Sequence, residues 1–183
     1  MTSYGMPYIL EDRSGRLSGT EFVDIHERLH FTIRCTARDA WHTSYMIYNT
    51  NPNIFQTAIP KPLVGLDFGV DNALGTISFS SVPMPMRKYL TKHAMGSSKV
   101  RRFVASDGQT YQWARRTQPN QEWTCTNTNG YVIASYSLKA LGEPEYSDSS
   151  GCIFEIAEQF GTLVPEMLAS LWIMRHIAAY DLT

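Results

Sequence analysis

The sequence contains no apolar run of about 18 residues, so nothing in it reads as a membrane-spanning helix. Cysteine is scarce: Cys35, Cys125 and Cys152 are widely spaced, with no C-x-x-C pair to suggest a structural zinc or a redox couple. A reducing compartment is the simpler reading. The opening residues, MTSYGMPYILEDRSGR, lack the basic and apolar regions of a secretory signal, and no N-x-S/T sequon occurs. The expected location is therefore cytoplasmic. Charge of one sign is not in excess either, since 16 Lys and Arg stand against 17 Asp and Glu for a formal net charge of -1. No global field draws the chain to nucleic acid or to an anionic membrane. A G-x-S-x-G elbow, a P-loop and a G-x-G-x-x-G turn are all missing, as are internal repeats and low-complexity tracts. The 183 residues suit one domain, 1–183, with a single core.

What the sequence does contain is period-2 alternation. Leu29, Phe31, Ile33 and Cys35 fall on one side and His30, Thr32 and Arg34 on the other, the pattern of a half-buried strand. Similar segments run over 44–48, 75–80, 100–105, 110–114, 122–126, 131–138 and 152–157, rich in aromatic and β-branched residues. Asp107-Gly108 and Asn129-Gly130 lie between such runs and predict hairpin turns. The proline-punctuated stretches 49–62 (NTNPNIFQTAIPKP) and 81–85 (SVPMP) read as loops.

The C-terminal segment differs. Pro165 is tolerated in a first helical turn and Glu166 suits the positive end of the helix dipole, which predicts a helix running to about Tyr180. Its Met167, Leu168, Leu171, Trp172, Ile173, Met174 and Ile177 cover nearly every direction around the axis. A helix apolar all round must be enclosed by protein, the alternative being an amphipathic surface helix with Ser170, Arg175 and His176 as a narrow polar stripe.

With these elements in order, the segment Gly96 to Trp113 (GSSKVRRFVASDGQTYQW) and the closing apolar helix resemble an uncharacterised family of fungal domains. That family is similar to the tubby-like group, which includes the phospholipid scramblases and the LURP-one-related proteins. The resemblance is clearest over 63–180. It implies a mainly β fold: an antiparallel β-barrel of about a dozen short strands wrapped around a hydrophobic C-terminal helix. It supplies no catalytic residues, because the shared motifs mark a fold and not a chemistry.

Three sets of residues are candidates for chemistry. His26-Glu27-Arg28-Leu29-His30 satisfies H-E-x-x-H, in which two His bind zinc and the Glu activates a water, with His42 or Asp39 as a third ligand. That chemistry needs a helix, whereas on a strand the two imidazoles would stand about 13 Å apart. The strand-favouring flanks Phe22, Val23, Phe31 and Ile33 instead make these residues the polar surface of a hairpin. The second set is electrostatic. Arg87, Lys88, Lys92, Lys99, Arg101, Arg102, Arg115 and Arg116 place half of the 16 basic residues in one segment whose only acid is Asp107. This segment is the expected site for an anionic lipid head group or an acidic partner, or else a solvated, salt-bridged surface. The third set, Tyr45 and Tyr48 beside His42, is a candidate pocket wall.

The function expected from the sequence is a non-enzymatic binding module that needs no cofactor and uses the basic segment 87–116 against an anionic partner. The alternative is a small enzyme, either a zinc hydrolase built on Glu27 or a metal-free catalyst in a pocket among loops such as 49–62.

Overall fold

A computed structural model describes residues 5–53, 60–93 and 97–183. The first half is a meander of β1 (Tyr8–Asp12), β2 (Gly19–Asp24), β3 (His30–Arg38), β4 (Thr43–Asn49), β5 (Pro62–Phe68), β6 (Leu74–Phe79) and β7 (Val82–Pro85). A single helical turn, α1 (Met86–Tyr89), leads to β8 (Thr91–Lys92), β9 (Val100–Val104), β10 (Thr110–Arg115), β11 (Trp123–Asn127), β12 (Val132–Ser137) and β13 (Cys152–Ile156). The chain then enters a long helix, α2 (Val164–Ala179). No helix among the described residues is long and apolar enough to cross a membrane.

All thirteen strands among the described residues join one antiparallel sheet in the order β7-β6-β5-β4-β3-β2-β1-β13-β12-β11-β10-β9-β8. The link between its two arms is the β1–β13 pair, with Leu10 opposite Phe154. The outer strands β7 and β8 do not pair with each other, so the sheet is not closed by hydrogen bonds. All eight segments read as strands from their alternation are strands, and both Gly turns close hairpins, with Gly108 at φ 78° and Gly130 at φ 80°.

The stretch 81–85 is a correction, because it forms β7 and not a loop. Ser80 and Ser81 (φ 49° and 70°) make a two-residue turn that sets Phe79 opposite Val82. The alternation of an antiparallel ladder then points the backbone groups of Val82 and Met84 toward β6 and those of residues 83 and 85 outward. Both outward positions are proline, so the prolines remove no ladder bond and leave the outer edge without an N–H donor. In the hairpin before it, Gly75 is required because a Cβ there would run into the Asp67 carbonyl oxygen.

Helix α2 is buried on every side: Leu168, Leu171 and Trp172 are 1 % exposed and Met167, Met174 and Ile177 are 0 % exposed. Side chains from both arms of the sheet reach it. On one arm, Tyr45 of β4 meets Trp172 edge-on at 5.4 Å and Phe68 of β5 stacks on His176 at 3.8 Å. On the other, Trp113 of β10 donates Nε1–H to the Ser170 hydroxyl at 2.8 Å, and Cys125 of β11 lies against Met167. At the junction of the arms, Arg175 lies over the Tyr136 ring and donates to Asp12 Oδ2 at 3.3 Å and to the Gly15 carbonyl at 2.7 Å. The fully buried Asp12 carboxylate also accepts from Thr20 Oγ1, Tyr136 Oη and the Gly15 amide, so this internal charge is both paired and hydrogen-bonded.

Candidate functional site

The two free edges of the sheet come together around α1. The Tyr89 ring packs 5.4 Å from Phe79 of β6 and 5.5 Å from Phe103 of β9, spanning the seam with aromatic contacts where no ladder exists. Beside this bridge a groove of about 940 Å³ stays open between β7 and β9. Val64, Phe79, Met84, Tyr89 and Phe103 give it apolar walls, and Lys88, Arg102 and Glu166 are its charged residues.

Those charges are not equivalent. Glu166, in the first turn of α2, accepts the Ser106 amide hydrogen at 3.0 Å, which ties the helix to the end of the β9–β10 hairpin. Arg102 is exposed on β9 and gives only its Nε–H to Gln112 Oε1, at 2.8 Å. Neither Arg102 nor the exposed Lys88 belongs to an ion pair among the described residues. The groove is therefore lined by two cations outside any ion pair, Lys88 and Arg102, and by a carboxylate already engaged by the Ser106 amide. The Tyr89 hydroxyl is buried with no hydrogen-bond partner among the described residues, and burial pushes its phenol well above the ordinary value.

The basic segment does not act as one patch. Strand alternation sends Arg101 to the inner face and Arg102 to the outer. Arg101 is 3 % exposed, donates to the Ser98 and Leu90 carbonyls, and has its charge disfavoured by desolvation. It is not a surface anion ligand. Arg115 and Arg116 both pair with Glu122, at 2.6 and 2.8 Å, and hold that carboxyl below the usual range against the opposing effect of burial. Lys99 pairs with Asp181 at 3.6 Å, and Arg87 donates to the Thr183 carbonyl at 3.3 Å. Lys92 is exposed at the end of β8. Of the eight cations, only Lys88 and Arg102 line the groove.

The zinc arrangement is not formed. His26, Glu27 and Arg28 occupy the β2–β3 turn, with Glu27 at φ 57°, and His30 begins β3, where Nε2 lies 3.6 Å from Glu21. Asp24 explains the turn: its carboxylate, lowered by Arg28 and by backbone donors against its burial, binds Arg28 Nε at 2.8 Å and the Ile9 amide at 3.0 Å. His42 belongs to the β3–β4 turn and contacts Asp39 at 2.9 Å. No group of three or more His, Cys, Asp or Glu placed to hold a metal occurs among the described residues.

The expected pocket wall is likewise taken apart by strand alternation. Tyr45 faces the core, donates its hydroxyl hydrogen to the Leu17 carbonyl at 2.7 Å and accepts from Arg38. Tyr48, three residues on, faces away from it, with the Arg34 guanidinium over its ring. Of the loop 49–62, residues 54–59 lie outside the described residues. No family model, curated protein or solved structure matches this chain.

The groove residues that sequence reasoning did not assign to a site are Tyr89, Phe103, Phe79 and Glu166. Two of them, Tyr89 and Phe103, stand within the basic segment, so aromatics interleaved with cations were the available signal. Phe79 and Glu166 come from segments remote in sequence and meet the others only through the folded sheet.

Proposed function

We propose that this chain is a non-enzymatic binding module of the tubby-like group, with a barrel-like sheet curled about α2 and a ligand site where the barrel stays open. Its partner is an anionic lipid surface, engaged through Lys88 and Arg102. The observation that carries this reading is the groove itself, in which apolar walls sit beside two cations that form no ion pair among the described residues. The contacts of α2 with strands of both arms support the tubby-like architecture. The three free cysteines support a reducing, cytoplasmic setting.

Sedimentation with vesicles tests this function. Phosphatidylcholine vesicles alone should leave the protein in solution, and vesicles containing phosphatidylserine should carry it down, less so as salt rises. Each basic residue near such a surface contributes about 1 kcal/mol, so a Lys88→Ala/Arg102→Ala variant should bind roughly thirtyfold more weakly. Arg115→Ala/Arg116→Ala, which removes cations already paired with Glu122, should change binding little. Equal sedimentation with both vesicle types, or indifference to the first variant, would remove the lipid reading. Capture of an acidic protein in its place would then favour a protein partner.

A further inference from the structure

The groove also restricts what can enter it. A peptide strand cannot extend the sheet from β7, because its outward positions, Pro83 and Pro85, carry no N–H. On the opposite wall β8 covers β9 as far as Arg102, opposite Thr91. The amide of Ala105 already turns to the Gln109 carbonyl of the hairpin. Only Val104 is left with backbone groups directed to the groove, and one residue does not make a ladder. A compact polar ligand fits no better, since its polar groups would lose water against Val64, Phe79, Met84 and Phe103 without gaining partners. What matches is a molecule that is anionic at one end and hydrocarbon along the rest. The Glu166 carboxylate in the lining disfavours a second negative group beside it.

Resting on the reading of this groove as the module's anion site, we propose that it takes a free single-chain anionic amphiphile. The head meets Lys88 and Arg102, and the chain lies along Val64, Phe79, Tyr89 and Phe103. The arginine fork suits a carboxylate, which it binds through two parallel N–H groups. The volume, about 940 Å³, lies within the range of sites that enclose small ligands, about 300 to 1,000 Å³.

The experiment is calorimetric titration of the full chain with dodecanoate below its micelle concentration, with octanoate and dodecanol as companions. Saturable one-to-one binding of dodecanoate is expected, with affinity falling about fourfold for each methylene removed toward octanoate. Dodecanol should bind at least roughly tenfold more weakly, and Lys88→Glu/Arg102→Glu should weaken dodecanoate by a similar factor. Both substituted positions are exposed, and an unchanged thermal midpoint verifies that the variant is folded. Val104→Trp, at the exposed rim of the groove, should block all three ligands. An affinity indifferent to chain length, or dodecanol binding as tightly as dodecanoate, would overturn the inference. If phosphatidylserine vesicles bind in a Lys88- and Arg102-dependent way while dodecanoate does not, the membrane reading stands and this one fails. If neither binds, both fail together.

Discussion

His176 shows how much one buried side chain can commit the fold to a protonation state. It is packed face-on against Phe68, is 5 % exposed, and places Nε2 2.8 Å from the Asn72 carbonyl. A carbonyl only accepts, so Nε2 carries the proton. Burial lowers the imidazole below its ordinary value, outweighing the bond to Asn72. In the unfolded chain a histidine takes up its proton below about pH 6.5, while in the folded protein His176 resists it. The linked stability is therefore intact above that pH and declines as pH falls toward the depressed folded value, with a slope approaching about 1.4 kcal/mol per pH unit. The carboxyls of Asp24 and Glu122, also lowered, contribute losses only in the more acidic range where carboxylates protonate. Urea unfolding between pH 7 and pH 5 should show the decline in the intact chain. His176→Phe should flatten it, while costing about 1 kcal/mol at pH 7 for the lost hydrogen bond. An unchanged slope in the variant would assign the titration to another group.

At the scale of elements, α2 is the part most exposed to a simple test. Leu171, Trp172 and Met174 point in different directions and are all buried, so truncation in any direction opens a cavity. Leu171→Ala and Met174→Ala should each destabilise the domain by about 2 to 5 kcal/mol, a large share of a whole domain's stability. Thermal denaturation measures this directly, and a midpoint within a degree or two of the intact chain would make the helix peripheral. This element was readable from sequence because its signal is local: apolar residues in every direction leave no solvent face. Strands β3, β4, β9 and β10 were readable for a similar reason, through alternation and glycine turns. Strand β7 was not, because Pro83 and Pro85 break strand propensity while meeting the geometry of an outermost strand, and only the register shows that their missing donors face away from β6. Strand β5 hid its alternating Val64, Leu66 and Phe68 behind Pro62 and Gly65.

At the scale of the whole molecule, the candidate site follows from incomplete closure. A sheet whose edge strands β7 and β8 do not pair leaves a seam, and α1 bridges it with Tyr89 in place of hydrogen bonds. Charge counting along the chain identified the segment 87–116 but could not resolve it. Alternation turned Arg101 inward, Glu122 neutralised Arg115 and Arg116, and the C-terminal residues took Lys99 and Arg87. The H-E-x-x-H match failed for the same kind of reason, since a hairpin turn held by Asp24 and Arg28 occupies the place of the helix that zinc chemistry needs. The central claim is that ligand contact is confined to the seam, and hydrogen–deuterium exchange with and without phosphatidylserine vesicles tests it most directly. Added protection is expected over β7, α1 and β9, lost in Lys88→Ala/Arg102→Ala, with the β2–β3 turn and the Arg115–Glu122 region unchanged. Protection centred on those other regions, or spread evenly over the molecule, would contradict it.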